Sequence, residues 1–233
     1  MSPPVLLQPA YILHRRAYRE TSFLLDLFTP DHGRLSAISK GARSGKAGAQ
    51  GLLQPFTPLL VSWVGRGEIM TLTHSELHGE SRQFYGECLF AGFYLNELMV
   101  ALLEKWDAHP GLFNVYQQAL SQLQGKTLDQ RVLRTFEKRL IEELGYGILP
   151  KDDISRHNIE SGRYYRFVTE QGFVEVAGGA MAGTFPGRSL LAIAEENWLD
   201  DEVIRDAKRL TRMILSPLLG VRQLNSRKLF IEE

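Results

Sequence analysis

The chain has one cysteine, Cys88, in 233 residues. A single thiol cannot build a disulfide framework or a cysteine zinc site, and this usage suits a reducing cytoplasm. No run approaches the roughly 18 consecutive apolar residues that a membrane-spanning helix requires, so no membrane partner is expected. The first residues, MSPPVLLQPAYILHRR, carry no charged leader ahead of an apolar core, and no signal peptide is expected. Catalytic signatures are missing too. Gly41-Ala-Arg-Ser-Gly-Lys-Ala47 has the wrong spacing for a phosphate-binding P-loop, and no hydroxyl follows Lys46. There is no G-x-S-x-G nucleophile elbow. His74 and His78 fall in a segment that reads as strand, where a four-residue step separates side chains by about 13 Å, too far to share a metal. Asp152-Asp153 and Glu142-Glu143 read as solvated faces, and Cys88 as an inert core thiol. The expectation is a binding protein with no catalytic residues, metal or cofactor, not an enzyme.

Net charge is also lacking, since 27 Lys/Arg balance 27 Asp/Glu. The balance hides a strong asymmetry. Residues 13–67 carry eight cations and three acids, net +5; residues 81–204 carry twelve and eighteen, net −6; residues 205–228 carry seven and one, net +6. Two basic ends flank an acidic middle, and a basic segment attracts polyanions even in a neutral chain.

The first 80 residues read as β. Tyr11–His14, Ser22–Phe28, Arg34–Ser39, Leu59–Val64 and Ile69–Thr73 are short runs of branched and aromatic residues. They are separated by Thr29-Pro-Asp-His-Gly33, the Gly41–Gly51 loop and Gly65-Arg-Gly67, all turn signals. Five such strands suggest a small closed barrel, of OB type or, as a rival, SH3-like. From Phe84 the apolar period becomes helical. Helices are expected at about 83–105, around Phe113–Leu123, at 128–144 up to the glycine stop Gly145-Tyr-Gly147, at Gly187–Glu196, and from Asp200-Asp201 to about Leu215, where Ser216-Pro217 would end the last one. Residues 148–186 read as an irregular insertion with a small hairpin, Tyr164–Val168 and Gly172–Val176. The expected class is α+β: a five-stranded barrel domain at 1–80 and a mostly helical domain at 81–233.

Three constellations can bind. Arg15, Arg16, Arg19, Arg34, Lys40, Arg43 and Lys46, with Arg66 in the last turn, sit among glycines and strands of the basic N-terminal region. Glycine admits close backbone approach, and cations beside exposed amides suit phosphate; the plainer alternative for the Gly41–Gly51 loop is a solvated hairpin tip. Tyr11, Tyr18, Phe23, Phe28, Phe56 and Trp63 offer stacking surfaces, though strand alternation places most of them inside, with Tyr18 the best exposed. Arg205, Lys208, Arg209 and Arg212 fall on one helical face, opposite Leu210, Met213 and Ile214. Arg131, Arg134, Lys138 and Arg139 line up beside the apolar stripe of the third helix, a pattern that suits an acidic peptide with an aromatic end.

Several segments resemble one family, the bacterial RecO recombination mediators. They are Glu20–Thr29, Gly33-Arg34, Lys40–Ser44, Leu53–Leu60 and Gly65–Leu72, then Tyr94–Leu98, Leu133–Glu137 with Leu144-Gly-Tyr146, Tyr165-Arg-Phe and Gly172-Phe, Ala207–Met213 with Pro217–Gly220, and Ser226–Phe230. The resemblance implies an OB-fold followed by a helical domain. It implies binding of single- and double-stranded DNA, annealing of complementary strands, and cooperation with RecR in loading RecA onto SSB-coated single strands, in the cytoplasm at the nucleoid. DNA contacts are then expected from Arg15, Arg16, Arg34, Lys40, Arg43, Lys46, Arg66, Lys208, Arg209 and Arg212. The acidic SSB C-terminal tail is expected at Arg134, the position matching the family's tail-binding arginine, with Arg131 and Lys138 beside it. Many members carry a four-cysteine zinc site after the Leu-Gly-Tyr segment; no cysteine lies between Gly147 and Tyr164, so a zinc-free protein is expected. The alternative function is a scaffold that binds acidic protein tails without touching DNA.

Overall fold

The computed structural model describes residues 3–44, 51–146, 153–154, 157–169, 171–198 and 200–226. The chain packs as two compact units, Met1–Leu128 joined by the segment from Arg222, and Asp129–Val221.

The first unit holds strands β1 (Val5–Tyr18), β2 (Ser22–Thr29), β3 (Gly33–Ser39), β4 (Leu59–Val64) and β5 (Ile69–Leu77). They close into a barrel in the order β1-β2-β3-β5-β4, with β3 and β5 parallel and the other pairs antiparallel. The period-2 pattern explains the interior. Ala10 and Ile12, Phe23, Leu25 and Leu27, Leu35 and Ala37, Leu59, Val61 and Trp63, and Met70 and Leu72 form one buried cluster. Ala42 and Leu53 from the β3–β4 connection plug the same core. This is an OB-fold barrel.

β1 and β2 are buried on their outer faces as well. Tyr11, Leu13 and Phe28 lie outside the barrel yet are nearly inaccessible. Helices α1 (Gly86–Leu102) and α2 (Pro110–Gln122) cover them. The Tyr11 ring packs 5.6 Å from Phe113 and 5.2 Å from Tyr116, and Phe28 5.5 Å from Phe113. β1 runs well beyond the Tyr11–His14 core read from sequence because its ladders extend it, to Val5 along β4 and to Tyr18 along β2. β5 likewise continues past Thr73, because its ladder with β4 extends to the Leu59–Leu77 pair. The barrel ends at Leu77, but the compact unit that contains it runs on to Leu128.

The second unit has α3 (Gln130–Glu143), the β6 (Tyr164–Val168)–β7 (Gly172–Val176) hairpin, β8 (Thr184–Pro186), α4 (Gly187–Ala194) and α5 (Asp201–Leu219). The three strands form a small sheet in the order β7-β6-β8; β8 is too short to carry a sequence signal. Asp129 and Asp200 cap α3 and α5 by accepting from the Arg131 and Glu202 amides at 2.9 and 2.8 Å. Two expectations about α5 need correction. The helix does not stop at Ser216-Pro217 but continues to Leu219, where Gly220 at φ +56° donates to the Ser216 and Pro217 carbonyls. In the last turn proline forgoes only one ladder hydrogen bond. Met213, placed by sequence with Leu210 and Ile214 on the face opposite the cations, is 36% exposed, because Leu210, Thr211, Ile214 and Leu215 set the buried stripe.

Gly33 is the most tightly enclosed of the described glycines in the first unit. Thr29 Oγ1 receives the His32 amide at 3.2 Å and donates to the Gly33 carbonyl at 3.1 Å, closing the turn. Gly33 has φ +61°, and a Cβ there would lie 1.7 Å from the Asp107 carbonyl oxygen. Both the left-handed backbone and the contact exclude a side chain. Gly33→Ala is expected to lower stability by about 3 kcal/mol or more, measured as the shift in a urea unfolding midpoint; an unchanged midpoint would contradict this packing.

Candidate nucleic-acid interface

Strand register fixes the geometry at one barrel end. Tyr18 pairs with Ser22 at the β1–β2 turn, and Phe23 pairs with Ser39 at the end of β3. The chain leaving β3 therefore emerges beside the turn at Arg19–Thr21. It is stitched there: the Arg43 amide donates to the Thr21 carbonyl at 2.9 Å and Arg43 Nη1 to the Arg19 carbonyl at 2.8 Å, while Ala42 is buried between them. Arg16, Arg19, Lys40 and Arg43 are exposed at this end, and among the described residues none of them has a carboxylate partner. Tyr18 is half-buried, with the Arg19 guanidinium 5.4 Å from its ring centroid. Lys46, expected in the same cluster, lies outside the described residues.

The structure divides the remaining barrel cations. Arg15 does not join the exposed row. It pairs across the ladder with Leu25, which faces the core; its Nη1 donates to the Leu53 carbonyl at 2.9 Å and its guanidinium lies 4.5 Å from the Phe23 ring centroid. Arg15 thus closes the barrel end, and burial lowers its pKa from the ordinary arginine value. Arg34 is only 14% exposed at its side chain, donating Nε to the Leu103 carbonyl at 3.1 Å with Nη1 3.9 Å from Asp26. Arg66 is exposed in the β4–β5 turn. Because Ser36 pairs in parallel with Ile69, Arg66 sits at the Gly33 end of the barrel, away from Lys40. Of the six aromatics named from sequence, Phe23 and Trp63 are buried inside the barrel, as alternation predicts, whereas Tyr11 and Phe28 are buried outside it beneath the helices and Phe56 against Gly92 of α1.

In the second unit the α5 stripe is also divided. Arg205, Lys208 and Arg212 are exposed, with no carboxylate partner among the described residues. Arg209 instead lies 3.9 Å from the Phe185 ring centroid, donates to the Thr184 carbonyl and bridges Asp206 at 3.0 Å. Sequence reasoning missed the first two contacts because β8, which supplies Phe185 and Thr184, was not visible.

On α3 the expected rim of arginines is largely internal. Arg134 is 4% exposed, with Nη1 2.9 Å from Glu137 Oε2; Thr211 Oγ1 donates to that same oxygen at 2.6 Å. Lys138 is 6% exposed and sits 2.8 Å from Glu142 and 3.0 Å from Glu196. Burial of these cations is sustained by charge-assisted hydrogen bonds. Arg131 alone of the three is exposed. Its hydrogen bond to Asp129 at 2.8 Å holds the Asp129 carboxyl below the usual aspartate range. The acidic partner of Arg134 was legible in the sequence as the i+3 residue, although its role was missed.

Chemistry at other sites is sparse. Among the described residues no group of three or more His, Cys, Asp or Glu is placed to hold a metal ion, and no helix is long and apolar enough to cross a membrane. His74 makes a 3.1 Å contact with Glu76 on β5. Cys88 is buried, and burial with the nearby Glu87 charge raises its thiol pKa.

Comparison with known proteins points one way. The family model for the N-terminal part of recombination protein O matches residues 1–80, and that for its C-terminal part matches residues 86–228. The chain is 42% identical to the DNA repair protein RecO of Pseudoalteromonas atlantica over 94% of this chain and 92% of that one. It is 40% identical to the RecO of Coxiella burnetii over 98% and 99%, and 45% identical to that of Stutzerimonas stutzeri over 96% and 93%.

The Arg134–Glu137 pair yields a stability test. Glu137→Gln leaves Arg134 buried opposite a neutral amide and is expected to lower stability by roughly 3 kcal/mol or more, read by chemical denaturation. The double variant Arg134→Met with Glu137→Leu removes both charges and is expected to recover a large part of that loss; a double variant as unstable as the single one would refute the pairing.

Proposed function

The chain belongs to the RecO family of DNA repair proteins, and from that premise we propose that it binds single- and double-stranded DNA, anneals complementary strands, and helps load recombinase onto SSB-coated single strands. The observation that carries this reading is the row of exposed cations Arg16, Arg19, Lys40 and Arg43 at one end of an OB-fold barrel. A strand of phosphates repels its complement. A cationic surface lowers that repulsion and holds a strand extended, with no bond made or broken. The hydrogen bonds from Arg43 to Thr21 and Arg19 keep these charges in a defined array, so less ordering is required on binding. Arg205, Lys208 and Arg212 supply a second exposed basic stripe for phosphate.

Two protein partners complete the proposal. RecR assists the loading of RecA, which this chain meets indirectly. The acidic C-terminal tail of SSB binds the helical region by way of α3. Arg131 there presents the accessible charge, and Arg134 and Lys138 support the site from within their ion pairs.

The barrel-end row is testable by substitution. Arg16→Ala, Arg19→Ala and Lys40→Ala together are expected to weaken single-strand binding by about tenfold or more and to make the plot of log affinity against log salt shallower by about 2, from some 0.7 per lost phosphate contact. Fluorescence anisotropy of a labelled oligo(dT) across a salt titration reads both quantities. Binding of an SSB tail peptide is expected to be retained. Unchanged DNA affinity and slope would sink the assignment of this surface.

A further inference from the structure

Along β1 the outward side chains beyond the bulge are His14, Arg16 and Tyr18, each two residues apart and so about 7 Å from the next. Tyr18 and Arg16 belong to the cationic end. His14 opens into a groove of about 470 Å³ between β1 and α1, lined also by Arg15, Gln54, Pro55, Phe93 and Asn225. This volume lies in the range of small-ligand clefts.

The wall of the groove is built to present one aromatic ring. Phe93 is 36% exposed, although it sits on a helix whose neighbouring residues are buried. Its ring packs 5.2 Å from Phe56, which packs 5.0 Å from Phe84. Phe56 is fixed in turn at φ +67° and lies so close to α1 that a Cβ at Gly92 would come within 2.9 Å of its ring. Phe93 is therefore a braced platform, with little freedom to lose on binding. The charges around it are compatible with a polyanion. Glu97, the acid lining the groove, is engaged by the Ser226 amide at 2.9 Å and hydroxyl at 2.6 Å. Asn96 is occupied by the Leu13 carbonyl at 2.9 Å and by Tyr116. On the barrel side the exposed cation is Arg16, next to Arg15, which is held by the Leu53 carbonyl.

We propose that this groove is a nucleobase site, in which one unpaired base of a bound single strand stacks on Phe93 while its phosphates follow Arg16 toward Lys40. The inference rests on the DNA-binding reading above and adds to it a base-contacting residue on α1, outside the barrel. Aromatic rings and a cationic track are the two elements of sequence-tolerant single-strand binding. A paired base is stacked within its duplex and cannot enter, so the site discriminates single from double strands.

The test uses the full chain and the variants Phe93→Leu, which keeps apolar bulk without a π-face, and Phe93→Trp, which enlarges it. Each is titrated by anisotropy with oligo(dT), with a duplex of equal length and with an abasic oligonucleotide, and thermal midpoints are recorded. Phe93→Leu is expected to bind oligo(dT) about 5- to 100-fold more weakly, with duplex and abasic binding unchanged, whereas Phe93→Trp retains oligo(dT) binding. Equal losses on oligo(dT), duplex and abasic strand would mean a structural effect and overturn the proposal. If Phe93→Leu binds oligo(dT) normally while the Arg16, Arg19 and Lys40 variant does not, the nucleobase site is refuted and the DNA-binding reading stands. If the unmodified protein binds none of these strands, the DNA-binding reading itself fails.

Discussion

Asn96 of α1 donates a 2.9 Å hydrogen bond to the Leu13 carbonyl of β1, and the Tyr116 hydroxyl of α2 donates to Asn96 in turn. This relay lies in a layer where β1 is buried on both faces, barrel core on one side and helices on the other. Much else in the first unit follows from it. An OB barrel with a water-facing outer surface would need polar residues at Tyr11, Leu13 and Phe28. With apolar ones, the helices after the barrel become part of its core. Full burial pushes the Tyr116 hydroxyl well above its ordinary pKa, so it stays protonated and serves as the donor to Asn96. The same layer sets the position of α1, and α1 sets the groove that holds Phe93.

The basic residues show how little a charge count says about a surface. Arg15, Arg34, Arg134 and Arg209 are all structural in their contacts: each guanidinium meets a backbone carbonyl, a carboxylate or an aromatic ring. Taking a charge from water is costly unless its donors are matched, and arginine's planar fork is suited to such matching. Arg16, Arg19, Lys40 and Arg43 are exposed, and although Arg43 holds the Arg19 carbonyl and Arg19 lies over Tyr18, their charges remain in water. That is the state in which a cation can exchange counterions for phosphate. The barrel gives this surface rigidity, since Arg43 ties the loop after β3 to the β1–β2 turn.

The sequence alone determined a good deal. Alternation of Phe23, Leu25 and Leu27, or of Leu59, Val61 and Trp63, marks barrel strands because successive strand residues face opposite ways. A 3.6-residue period marks α3 and α5, and Asp129 and Asp200 mark their starts, because capping is a local hydrogen bond. Family membership was legible from motifs spread along the whole chain. Local chemistry misled where a longer context overrode it, as when the packing of α5 carried the helix through Pro217.

Which cation is free and which is committed was decided by the tertiary structure. Arg34 is held by a carbonyl 69 residues away, Arg15 by one 38 residues away, and Glu137, the counterion of Arg134, by a hydroxyl 74 residues away. Phe93 falls within the helix expected at about 83–105; only the packing of Phe56 against Gly92 leaves its ring at a groove. The physical reason is the range of the forces. Backbone preference and hydrophobic period act over a few residues and are written locally, whereas the pairing of a long side chain depends on which distant backbone the fold brings within about 3 Å of its donors.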